Sequence, residues 1–277
     1  MLLYLLNKIK LKEKNLKLIC NIYGVLGVGL LYIFNYTPFL SGWNENTISM
    51  IALYSYLFYL IPHYGKRNFF RKSYVLIISV IYFVILVETD SRAAMLCSII
   101  AFLLAIFNSK NNIVNRNNIT YFLLVPLIIS IVVIVVSNSS VLEALNTWSL
   151  NEFNKPIFNG RDELWKKGFE ILKDNNLMGS GNILQANWHN SAVTVLASYG
   201  VLGYIAWFIS LKYILKNAVE KKYENILSGS MVMFFVMYMH QSVELGFIYA
   251  KPNLLPYIML GIILIRTKSL ERVVDYE

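Results

Sequence analysis

Apolar residues gather along this chain into eight blocks, at 16–36, 47–62, 73–89, 92–107, 119–137, 190–215, 226–243 and 253–267. They are too long and too evenly apolar for strands, so the pattern predicts helices. Several are nearer sixteen residues than the roughly twenty that cross a bilayer, and flanking Tyr and Trp must then reach the interface. The expected fold is all-α: a polytopic transmembrane helical bundle of about eight spans. It forms a single integral membrane domain over 1–277, interrupted by one long polar loop at 138–189.

That loop has a pattern of its own. In NGRDELWKKGFEILKD, residues 159–174, Trp165, Phe169 and Leu172 recur at helical spacing, with Leu164, Gly168 and Ile171 beside them. This predicts an amphipathic helix able to lie on the outer face of the bundle. Asn159 is the expected N-cap, with Asp162 and Glu163 at the positive end and Lys173 at the negative end. The stretch NNLMGSGN, residues 175–182, reads as a flexible glycine turn before the next span.

Composition supports the membrane reading. The chain is 57% hydrophobic and 15% charged, against about a quarter charged in soluble domains. The net charge of +9 fits topology better than nucleic acid, because no basic run is interleaved with aromatics in a soluble region. With the N-terminus inside, 18 of the 25 Lys and Arg residues fall on cytoplasmic segments and seven outside, while ten of the 16 acids fall outside. Both termini are then cytoplasmic, and the polar loop is external. The basic N-terminal stretch leads into an apolar block with no small-residue cleavage site, which reads as an uncleaved first span. Cys20 and Cys97 lie within apolar blocks and read as small buried residues. No Cys/His cluster has zinc spacing, so no metal site and no cofactor is expected.

Candidate chemistry collects at the external ends of the blocks. Arg92, in ETDSRAAM, opens the fourth block, where a buried cation costs about 3 kcal/mol unless it is paired or wetted. It either pairs with Glu88 or Asp90 or grips an anion through its planar fork. Arg161 sits in the first turn of the amphipathic helix, where a cation is slightly unfavourable unless an anion binds there. His189 precedes the sixth block. The positive end of a helix disfavours imidazolium, so the expectation is a neutral ring able to accept a proton. A plain interfacial histidine is the alternative. His240 and Glu244, in MHQSVELGF, read as an i, i+4 pair on one helix face lining a polar cavity. His63 reads as a solvated loop residue. Gly200, Gly203, Ala206 and Ser210 form a small-residue stripe suited to close helix packing.

In order, TDSRAAML, NGRDELWKKGFEILKDNNLMGSG and HNSAVTVLASYGVLGYIAW resemble the O-antigen ligase and Wzy-type polysaccharide polymerase superfamily, over residues 75–245. The resemblance implies a bacterial cell-membrane glycosyltransferase acting at the outer face of the cytoplasmic membrane without metal. Its donor would be an undecaprenyl-pyrophosphate-linked oligosaccharide. As a polymerase it would join repeat units into capsular or O-antigen polysaccharide; as a ligase it would pass the glycan to another acceptor. Membrane lipids, a flippase and a chain-length regulator are the implied partners, with no nucleic acid. His189 would be the base, with Arg92 and Arg161 on the pyrophosphate. Asn190, His240 and Glu244 complete the expected substrate-binding set. Members usually have more than eight spans, and the difference would lie at the N-terminus, which leaves an inactive shortened relative as an alternative. An anion transporter would instead need charges deep within the spans, where this chain has almost none.

Overall fold

The computed structural model describes residues 12–36, 45–65, 69–107, 114–181, 188–220, 225–244 and 254–274. Every regular element among them is helical. In chain order these are α1 (Glu13–Tyr36), α2 (Glu45–Leu60) with a 3-10 turn at Ile61–His63, α3 (Phe69–Glu88), α4 (Arg92–Phe107) and α5 (Ile119–Val136). There follow α6 (Ser140–Phe153), α7 (Arg161–Asp174), α8 (Ser191–Val219), α9 (Asn225–His240) and α10 (Leu254–Val274).

Each of the eight apolar blocks coincides with one of these helices. Among the described residues, two of them, α5 and α8, are long and apolar enough to cross a membrane by length and composition; α4 and α9 are apolar but shorter. Several of the cations behind the sequence topology, among them Lys8, Lys66, Arg67, Lys110, Lys221 and Lys251, lie outside the described residues.

The chain divides into two compact units. The first comprises residues 1–119, 213–240 and 255–277. Here α2 is the hub, packed against α1, α3, α4 and α9. Gly24 and Gly27 of α1 face Tyr59 and Ser55 of α2 so closely that a Cβ at either position would overlap them. Close backbone approach through small residues is the usual packing device of helices in lipid, where burial gives no hydrophobic gain. Buried hydroxyls are bonded across the helices: Tyr82 donates to the Gly24 carbonyl, and Tyr56 pairs with Ser79 at 2.6 Å. Cys20 and Cys97 are buried free thiols, as their apolar surroundings predict. His63 departs from expectation: its ring packs at 4.8 Å from Tyr59 and 6.4 Å from Tyr74, because the 3-10 turn folds it back on the helices.

The second unit comprises residues 120–212 and 241–254. Its core is built on Trp165, Trp188, Val133, Val193 and Ala197. Two helices occupy the polar loop, where the sequence pattern predicts one. Ser139 caps α6 by accepting from the Leu142 N–H at 3.3 Å, and Asn154 ends it in the left-handed region. Helix α7 turns its apolar stripe inward: Trp165 is fully buried, and the Trp188 and Val193 side chains pack where a Cβ on Gly168 would project.

Helix α8 is broken at Gly200 (φ 66°, ψ −167°). The break frees four backbone groups, and the glycine turn after α7 satisfies them. Ser180 and Gly181 donate to Ala197 and Ser198, each at 2.9 Å, while Val201 and Leu202 donate to Asn176 and Leu177 at 2.9 and 3.2 Å. An interrupted helix within a membrane is tolerated when nearby protein re-satisfies its backbone. So the turn expected to be flexible is pinned by hydrogen bonds. Gly200 serves the crossing of two backbones, with the Leu177–Gly179 backbone where its Cβ would be.

Candidate active site

The site grows from three short segments of the second unit. The first is the start of α7. Asn159 (φ 50°) and Gly160 (φ 77°) both adopt left-handed backbone, and the chain turns sharply to launch the helix at Arg161. Asn-Gly is the dipeptide that tolerates two such residues in succession. The expected cap therefore shifts: Gly160 holds the N-cap position with no side-chain bond, and Asn159 lies outside the helix.

The second segment is Trp188–Ser191. The Trp188 carbonyl accepts from the Trp165 indole N–H at 2.7 Å, which ties this segment to α7. His189 has φ 46°, a conformation uncommon for a non-glycine residue, costing about 1–3 kcal/mol and concentrated at functional sites. Asn190 follows as the N-cap of α8. Its Oδ1 accepts from the Ala192 and Val193 N–H groups at 2.9 and 3.1 Å. Its Nδ2 donates to the Pro126 and Ser242 carbonyls, both at 2.9 Å.

The third segment is the turn 241–244 that follows α9. Ser191 N–H donates to the Gln241 carbonyl at 3.0 Å, and Ser191 Oγ meets Gln241 Oε1 at 3.1 Å. Together with Asn190, these bonds set Glu244 opposite His189.

There Glu244 bridges two of the predicted residues. Its Oε1 accepts from Arg161 Nη2, and its Oε2 lies 3.0 Å from His189 Nδ1. The side chains are 17% (Arg161), 8% (Glu244) and 24% (His189) exposed, so the network is shielded yet reachable. A carboxylate on Nδ1 orients the ring and selects the tautomer protonated there, which leaves the lone pair on Nε2. The neighbour that defines His189 is therefore this acid, whereas the sequence points to the helix end. The anion expected at Arg161 is likewise supplied by the protein itself.

The other expected members fall differently. Asn190 is fully buried, and both polar atoms of its side chain are committed to backbone groups, so it holds the segments together in place of touching substrate. His240 is fully buried in the first unit, with its ring edge-on to Tyr54 at 5.8 Å. Because α9 ends at His240, residues 240 and 244 do not share a helix face. Arg92 is the first residue of α4, partly buried, after the tight turn Thr89–Ser91; Asp90 is left-handed there (φ 47°). It belongs to the first unit. Among the described residues, no three His, Cys, Asp or Glu side chains are grouped to hold a metal.

Residues 77–208 match the family model described as O-antigen ligase. The resemblance to the O-antigen ligase and Wzy-type polymerase superfamily holds. The matched segment runs from α3 to α8 and contains Arg92, Arg161 and His189, while Glu244 lies beyond it. The match supports an O-antigen ligase/polymerase family membrane enzyme over that segment. No curated protein and no solved structure matches it.

Proposed function

We propose that the protein is a metal-independent membrane glycosyltransferase that uses undecaprenyl-pyrophosphate-linked oligosaccharide as donor and extends it into capsular or O-antigen polysaccharide at the outer face of the membrane. The observation that carries this reading is the Arg161–Glu244–His189 network. Glu244 holds Nδ1 of His189, and Nε2 takes the proton from a sugar hydroxyl of the acceptor. The hydroxyl oxygen attacks the anomeric carbon of the donor as the bond to the pyrophosphate breaks. A glycosidic bond forms, the lipid pyrophosphate leaves with its electron pair, and the proton held by His189 returns to solvent or to the leaving group. Arg161, a fixed cation beside the base, offsets negative charge growing on the pyrophosphate without reorganising. For Arg92, the resemblance of its Ser-Arg turn supports a substrate-binding role.

The family description favours a second reading, a ligase that transfers the glycan to a different acceptor with the same residues. Purified protein incubated with lipid-linked repeat units alone separates the two. A polymerase gives a ladder of products. A ligase gives none until its acceptor is added. No product under either condition, from folded protein, rejects the proposed chemistry.

A further inference from the structure

We infer that α6 is a membrane-interface helix, anchored in the lipid surface by Val141, Leu145 and Trp148. These residues stand at i, i+4 and i+7, so they form one stripe. They are 66%, 44% and 53% exposed. A separate face, Leu142 and Ser149, is buried in the protein, and a third carries the exposed Glu143, Thr147 and Asn151, with Leu150, 46% exposed, at its edge. The helix thus has an apolar face that the protein does not cover, set apart from its polar face.

Its connection to α5 identifies the occupant. Among the described residues, helix α5 is the most apolar element and of membrane-crossing length, yet only 28% of it is buried within the protein. Its uncovered surface includes Ile128, Ile131, Val132 and Val135, the last 74% exposed. In a membrane enzyme that surface faces acyl chains. Three residues, Ser137 to Ser139, separate Val136 from α6. Fully extended they span roughly 10 Å, so α6 begins at the level where α5 leaves the lipid. An apolar stripe with a tryptophan at that depth matches the headgroup boundary, where indole rings concentrate. Glu152, one turn beyond Trp148, marks where the stripe gives way to water.

The protein has five tryptophans, so the emission lost in Trp148→Phe isolates the signal of Trp148. In lipid nanodiscs, lipids brominated near the top of the acyl chain should quench most of that signal, and aqueous iodide should leave it. Moving the indole to the polar face in the double variant Trp148→Phe, Thr147→Trp should reverse both results. Quenching of Trp148 by iodide and not by bromolipid would place the stripe in water and overturn the inference. Protection from both quenchers would overturn it too, because a protein or glycan would then cover the face.

Discussion

Helices α6 and α7 invite comparison. Both are 14 residues long, both lie in the polar loop, and each carries a tryptophan on its apolar stripe. Yet Trp165 of α7 is fully buried while Trp148 of α6 is 53% exposed. The difference lies in what each helix is offered. Gly168 lets Trp188 and Val193 close over α7, and the Trp188 carbonyl takes the Trp165 N–H. Helix α6 has its buried contacts on another side, through Leu142 and Ser149. Amphipathic spacing therefore reports that a face will be covered, and leaves open whether protein or lipid covers it.

The comparison predicts a graded series. Trp165→Ala removes a fully buried indole and should cost about 3–5 kcal/mol, enough to loosen α7 and the site it begins; thermal unfolding in detergent checks this. Trp165→Phe keeps most of the packing but strands the Trp188 carbonyl, with an expected loss of about 1–3 kcal/mol by the same assay. Trp148→Ala should shift stability in detergent by no more than about 1 kcal/mol, because it removes an exposed indole and its edge contact with Phe153, 5.6 Å between ring centroids. Equal effects at positions 148 and 165 would break the comparison.

Much of this was legible in the sequence. Apolar block length alone located eight of the helices, since a helix covered on all sides needs no alternation. The amphipathic stripe and end charges gave α7 nearly to its boundaries. Helix α6 was missed although Ser139 and Glu143 mark its start, because its stripe is short and sits among asparagines and serines. Arg161 and His189 were legible as polar residues opening helices. Their link through Glu244 was not, since it joins residues 83 and 55 positions apart and depends on the turn after α9. The spacing of His240 and Glu244 misled for the same reason: a helix ended between them. Asn190 looked like a ligand residue because nothing in sequence shows that its side chain is already spent on four hydrogen bonds to the backbone.

The central claim is that His189 and Glu244 act as one catalytic unit, the acid positioning the base. A double-variant cycle on product formation from a lipid-linked oligosaccharide tests it most directly, using His189→Ala, Glu244→Gln and the pair, each confirmed as folded. His189→Ala should lose about 10²–10⁴ in rate, the usual worth of a general base. Glu244→Gln should lose less, and adding it to His189→Ala should cost little more, because the acid works through the ring. Rates near wild type in His189→Ala, or losses that multiply in the double variant, would contradict the account.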